Sequence, residues 1–374
     1  MSPTASSRPR RSRAGLVVVL LVLAMGAWEV VGRASGSSMV TPVRFACAAW
    51  SVAGGGSASG GAGPPSAADM ARIAYRPLPY VNYGLKPSWT RTSDKPDAPL
   101  KTTNSLGFRG REVEQPKPAG RYRIACLGGS TTYDDGVADG DTYPLKLEGL
   151  LRAAHPERDL EVVNCGVPSY TSAESLANLA FRVLDLQPDA IVLYEGINDW
   201  RTRNYVNYDG AYFHFRKVWD GSTAHWDAGP PGTEMAGGIN PLIQFLQPAE
   251  NGDIAENIKR SGFGAFRRNL QSMCGIARAH GVAVVMVSNV VDESNPAKDP
   301  IFPIFLAGMV ETNQVVQQVC KETGSLFVDL DASWPKGAQA PPGRLFVDQV
   351  HNNPAGAQIK ARIIADAMLK DLLK

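Results

Sequence analysis

The sequence predicts an α/β fold, a doubly wound parallel sheet of five strands with helices on both faces. Three observations predict it: five short apolar runs at strand spacing, helical-period segments between them, and polar residues placed just after the runs. Parallel neighbours need crossover connections, and helices supply them.

The first strand is expected over Tyr122–Leu127, followed by Gly128-Gly129-Ser130 and a helix whose stripe is Tyr143, Leu147, Leu150, Leu151 and Ala154. Leu160–Asn164 is the second strand, ending at Cys165-Gly166. Thr171 and Glu174 form a capping box. It opens a helix with Leu176, Leu179, Ala180, Val183 and Leu184 on one stripe. Ala190–Tyr194 is the third strand and leads into Glu195-Gly196-Ile197-Asn198-Asp199. Phe263, Phe266, Leu270, Met273 and Ala277 mark a helix stopped by Gly281, and Val282–Val287 is the fourth strand. A helix through Val310, Asn313, Val316 and Val319 ends at Gly324, before the fifth strand, Leu326–Leu330. Pro354 suits the first turn of a last helix carrying Ala357, Ala361, Ile364, Ala365 and Met368 inward.

The 374 residues divide unevenly around this region. Residues 1–13 hold four arginines and no acid, and the uncharged run Ala14–Trp28, extended past Glu29 by Val30 and Val31, is long enough to cross a bilayer. We therefore expect a basic cytoplasmic tail over 1–13, a transmembrane signal-anchor over 14–32 and the rest of the chain outside the cytoplasm. Secretion after cleavage near Ala34 is the rival, and Cys47 has no lipobox before it. Residues 33–70 read as a flexible linker, glycine-rich over 51–66. Residues 71–119, rich in proline, aromatics and turn formers, read as an irregular extension packed on the catalytic domain at 120–374. Between Asp199 and the helix near Phe263 lies an aromatic insertion, at about 200–260, without periodicity.

Composition excludes other classes. The chain is 44% hydrophobic and 20% charged, which argues against wholesale disorder and a polytopic membrane protein. Net charge is +2, but setting aside the four N-terminal arginines leaves 34 basic residues against 36 acidic ones, so nucleic acid is not an expected partner. The five cysteines show no CxxC spacing, and neither a metal nor a cofactor is called for. An odd number leaves one thiol unpaired in a monomer, and most are expected reduced and buried.

Strand carboxyl ends are where such sheets place their chemistry. Ser130 follows the first strand, Gly166 the second and Asn198 the third, while Asp348 and His351 precede the last helix. Each signal is weak alone, since Gly-Gly-Ser and Asn-Asp occur in many turns. In this order they resemble the SGNH hydrolases, the GDSL-type esterases and lipases, over residues 120–374. Ser130 in Leu127-Gly-Gly-Ser-Thr131 matches the first block, Gly166 in Asn164-Cys-Gly166 the second, Asn198 in Gly196-Ile-Asn-Asp199 the third, and Asp348 with His351 the last. Gly129 stands where the name-giving motif has Asp. The stretch Asn104–Glu112 is also similar to membrane-associated bacterial members.

The resemblance implies an SGNH hydrolase fold of flavodoxin-like topology and a serine esterase. Ser130 is the implied nucleophile, His351 its base and Asp348 the carboxylate that orients the base. The implied oxyanion donors are the N–H groups of Ser130 and Gly166 and the amide of Asn198. Gly166 is expected to let the acyl group approach the backbone. His155 and His280, next to Pro156 and Gly281, read as helix-end residues. Trp200, Tyr205 and Tyr212 of the insertion are candidate substrate contacts. The expected substrate is an acylated, foremost O-acetylated, cell-surface carbohydrate, with hydrolysis or transfer of the acyl group. A lipid or small ester, or a noncatalytic surface-binding module, is the alternative, and oligomeric state is left open.

Overall fold

The computed structural model describes residues 74–78, 80–91, 98–212, 214–215, 253–293, 301–336 and 343–374. The expectations for the basic tail, the signal-anchor, the whole linker and the extension up to residue 73 lie outside these residues, as does most of the insertion. Among the described residues no helix is long and apolar enough to cross a membrane.

Two strands open the described chain, β1 (Tyr75–Leu78) and β2 (Asn82–Leu85), paired antiparallel with Leu78 opposite Asn82. The extension is thus partly ordered into a hairpin, where the sequence suggested irregular structure. Strands of four residues are too short for alternation to show. Tyr80 and Asn82 take positive φ values of 66° and 73°, which close its turn.

The central sheet has β3 (Tyr122–Gly128), β4 (Leu160–Asn164), β5 (Ala190–Tyr194), β6 (Ala283–Val287) and β7 (Leu326–Val328). Their order is β4-β3-β5-β6-β7, and all four pairings are parallel. Chain direction across the sheet reverses between β3 and β5, so a crevice opens beyond their carboxyl ends.

Both faces are buried, and alternation sorts the side chains. Ala125, Leu127, Ile191 and Leu193 face one core with Leu179, Phe266, Leu270, Met273 and Val316. Ile124, Cys126, Val192 and Tyr194 face the other with Leu147, Leu151, Ala361, Ile364 and Met368. The helices are α1 (Ser130–Tyr133), α2 (Tyr143–Ala154), α3 (Ser172–Asn178), α4 (Ile197–Thr202), α5 (Ile254–Arg260), α6 (Gly264–Ala279), α7 (Phe302–Thr323), α8 (Leu330–Ser333) and α9 (Pro354–Asp371).

Beyond one-residue shifts at the end of β3 and the start of β6, three boundaries differ from expectation for local reasons. The helix expected from Thr171 is α-helical only to Asn178 and continues as a π turn over Leu179–Val183. That turn carries Leu179 and Val183 into the core at the cost of regular hydrogen bonding. The helix through Val316 starts earlier, at Phe302, because Phe302, Phe305 and Met309 are also buried. The fifth strand stops at Val328, since the Asp329 side chain accepts from the Ala332 N–H and starts α8.

Cys126, Cys165, Cys274 and Cys320 are buried free thiols, and Cys47 lies outside the described residues. Against α4, Gly308 of α7 leaves room for Trp200: a Cβ there would sit 1.9 Å from the indole Nε1. Gly308→Ala should therefore lower stability by about 1–3 kcal/mol through overpacking, read as a shifted urea midpoint with unchanged slope.

Candidate active site

Ser130 is the first residue of α1, at the carboxyl end of β3, so its N–H has no acceptor within the helix. Asn198 is the second residue of α4, after β5. The loop carrying Asp348 and His351 is closed by the Val347 N–H donating to the His351 carbonyl at 2.8 Å, and α9 follows with Asn353 as its cap.

This brings residues 221 positions apart into contact. His351 Nε2 lies 2.8 Å from Ser130 Oγ, and His351 Nδ1 lies 2.7 Å from Asp348 Oδ2. Asp348 Oδ1 accepts the N–H groups of Val350 and His351 at 2.9 and 2.8 Å. Partial burial would raise the Asp348 carboxyl, but hydrogen bonds and charge from His351 and the two N–H groups outweigh it and bring the pKa down to about 2. Asp348 is thus a carboxylate at neutral pH. A carboxylate at Nδ1 requires the proton there, which leaves Nε2 to accept from the Ser130 hydroxyl.

The Asn198 amide donates one hydrogen to the Tyr170 carbonyl at 2.9 Å, which fixes the plane of the group and leaves its second hydrogen for another acceptor. Gly166 stands differently. Its N–H donates to Asn164 Oδ1 at 3.0 Å. A Cβ on Gly166 would sit 2.2 Å from the Tyr133 nitrogen, so the close approach that demands glycine is to α1 and not to an acyl group. Beside Ser130 lies a shallow depression whose enclosed volume is only about 10 Å³, lined by Thr131, Tyr194, Gly196, Ile197, Asn198 and Asn289.

Two of the three aromatic candidates are corrected. Trp200 is 3% exposed and meets Phe305 edge-on, and Tyr212 is 2% exposed with its hydroxyl on Asp199 at 2.8 Å. Rings buried in this way present no face to a sugar. Tyr205 is half-buried beside His214 and Phe215. His155 and His280 stand at the C-caps of α2 and α6, and His225 lies outside the described residues. His214 is committed elsewhere: Nε2 donates to the Thr202 carbonyl and Nδ1 accepts the Asp209 N–H.

Three groups near the site escaped the sequence reading. The turn Val167–Tyr170, closed by the Tyr170 N–H on the Val167 carbonyl, carries Ser169 at φ 65° and supplies the acceptor for Asn198. Its signal was Pro168-Ser169, proline followed by a small polar residue at the centre of a turn. Lys360 is fully buried. Its ammonium donates to the Thr131 carbonyl of α1 at 2.9 Å, lies 3.6 Å from Asp134 and sits over the Tyr143 and Tyr194 rings. Burial lowers the Lys360 pKa and raises that of Asp134, each opposed by the other's charge. A lysine between Ala357, Ala361 and Ile364 on the apolar stripe was its signal.

Asp199 is the third. It accepts from the Ser172 N–H and hydroxyl and from Tyr212, and Asn269 donates to the same Ser172 hydroxyl. Burial raises its pKa to about 6 although the Ser172 and Tyr212 hydrogen bonds oppose the shift. A carboxyl raised on folding binds its proton more tightly in the native state, so stability should fall as pH rises from the ordinary Asp value of about 3.9 to about 6, and level off above. Asp199→Asn should flatten that segment, measured as the change in urea midpoint between pH 4.5 and pH 7.

A model of the GDSL-like lipase/acylhydrolase family matches residues 126–359. An acetylxylan esterase of Geobacillus stearothermophilus is 25% identical over 225 residues, covering 60% of this chain and 78% of that protein. The crystal structure of an acetylxylan esterase from the same organism superposes with a TM-score of 0.44 at 21% identity, over 66% of this chain and 94% of that one. An α/β hydrolase from the metagenome of Lake Arreo, Spain, gives 0.44 at 20% identity with the same coverage. With well over half of its length matched, the chain belongs to the GDSL-like lipase/acylhydrolase family and is an enzyme that hydrolyses ester bonds.

Proposed function

We propose that the protein removes O-acetyl groups from carbohydrate through an acyl-serine intermediate. The observation that carries this is the hydrogen-bonded row Ser130 Oγ, His351, Asp348. Ser130 Oγ attacks the ester carbonyl while its proton passes to His351 Nε2. The carbonyl oxygen takes the electron pair and is held by the Ser130 N–H and the second hydrogen of the Asn198 amide. The Gly166 N–H can join them only by leaving Asn164. As the tetrahedral centre collapses, the C–O bond to the sugar breaks and His351 returns the proton to the leaving alkoxide. Water repeats the sequence on the acyl-serine, releasing acetate and restoring the Ser130 hydroxyl.

The acetyl and carbohydrate assignments are both supported by the likeness to an acetylxylan esterase. The arginine-flanked run over 14–32 supports a membrane-anchored protein acting outside the cytoplasm. An epitope at Lys374 cut by external protease in intact cells is the result expected of that placement.

The deciding assay is acetate release from acetylated xylan and other acetylated polysaccharides, set beside hydrolysis of p-nitrophenyl esters of increasing acyl length. We expect acetate release, and turnover that falls steeply beyond short acyl groups. Rapid cleavage of long-chain esters with no acetate from any polysaccharide would transfer the assignment to lipid or small-ester substrates.

A further inference from the structure

The β1–β2 hairpin lies outside the residues shared with the family, yet it reaches the reactive centre. Tyr83 is completely buried, and its hydroxyl donates to the Pro168 carbonyl at 2.8 Å. In the opposite direction, the Tyr170 hydroxyl donates to the Tyr83 carbonyl, and the two rings meet edge-on with centroids 5.1 Å apart. Two hydrogen bonds of opposite sense with a ring contact between them stop the turn Val167–Tyr170 from sliding or tilting against the hairpin.

That turn holds the acceptor of the Asn198 amide. A Cβ on Gly129, the residue before Ser130, would lie 2.8 Å from Asn198 Nδ2 and 3.1 Å from the Tyr170 carbonyl oxygen, so the amide and the turn pack closely on the backbone that leads into Ser130. The hairpin also touches the nucleophile's own helix: Tyr133, which ends α1, packs in one apolar cluster with Val81, Tyr83, Leu85, Val167 and Tyr170. A transition-state donor must be held within a few tenths of an ångström of the developing charge.

We propose that Tyr83 and Tyr170 are positioning residues, through which the N-terminal hairpin fixes the Asn198 amide at the oxyanion site; this rests on the reading of Asn198 as a donor to that oxygen. Hydrolytic competence of the shared family core then depends on a segment that precedes it.

The test is a double-mutant cycle on the full chain with p-nitrophenyl acetate. Tyr83→Phe and Tyr170→Phe, which remove only the hydroxyls, are combined in the native and in the Asn198→Ala background. With Asn198 present, the pair should lower kcat by about 10- to 100-fold with little change in KM, the size of a small misplacement of a reacting group. In Asn198→Ala, the same pair should lower kcat by less than about threefold, because the group being positioned is gone. A kcat within about twofold of wild type, or equal losses in both backgrounds, overturns the proposal and makes the hairpin a structural cover. If the combined variant lacks the native circular dichroism spectrum, Tyr83→Phe alone is read by the same criteria of coupling to Asn198. Full turnover in Asn198→Ala itself would overturn the donor assignment beneath the proposal, a result separate from any hairpin variant.

Discussion

Ser130→Ala should lower kcat for p-nitrophenyl acetate by about 10⁴- to 10⁶-fold, the loss typical when a serine nucleophile is removed from a working triad. The magnitude follows from how few alternatives the site offers. Among the described residues, Ser130 Oγ is the hydroxyl hydrogen-bonded to His351 Nε2. Thr132, on the same helix, donates its hydroxyl to the Leu127 carbonyl and accepts from the Tyr143 hydroxyl. Removing one oxygen at the start of a four-residue helix leaves the cores on both faces of the sheet untouched, so the variant should fold. Labelling by a fluorophosphonate should disappear with turnover. A folded Ser130→Ala protein that labels and turns over within tenfold of wild type would place the nucleophile elsewhere.

Asp348→Asn should cost about 10⁴-fold in kcat through the tautomer of His351. One oxygen of Asp348 is held by the N–H groups of Val350 and His351, and the other faces His351 Nδ1. An asparagine keeping its oxygen on the two N–H groups turns its NH₂ toward Nδ1. The ring must then accept at Nδ1 and carry its proton at Nε2, where it cannot take the proton of Ser130. Asp348→Ala should be less specific in effect, since it frees the ring to adopt either tautomer. With its pKa at about 2, the Asp348 carboxylate stays charged well into acid. The stability it contributes is complete above the ordinary Asp value of about 3.9 and is lost only as pH falls toward about 2. An Asp348→Asn variant with more than a tenth of wild-type turnover at pH 7 would remove the carboxylate from the mechanism.

Legibility of this chain varied with the range of the interaction. Strands β3 to β6 were readable because each is a short, mainly apolar run, interrupted by Arg123 in β3 and Glu161 in β4, and Gly or Asn stands at or just past the end where chemistry gathers. The Thr171–Glu174 box was readable for the same reason: its two hydrogen bonds span three residues. The π turn after Asn178 was not, since the apolar stripe of Leu179 and Val183 reads alike in either helix type and only the packing chooses. Trp200 and Tyr212 were misjudged because an aromatic residue beside a site looks the same in sequence whether it is buried beneath Gly308 and Asp199 or open to a substrate.

The sequence by itself determined the order along the chain of the five central strands and the long helices between them, the placement of Ser130, Asn198, Asp348 and His351 at the carboxyl-end rim, and the family, because each depends on local periodicity or on short motifs. Only the tertiary structure decided that the Gly166 N–H is held by Asn164, that Lys360 lies buried beneath the helix that Ser130 opens, and that Tyr83 reaches the turn holding the acceptor of Asn198. Those contacts join residues that pattern and propensity treat as independent, and they exist only once the parallel sheet has brought its crossover loops to one edge.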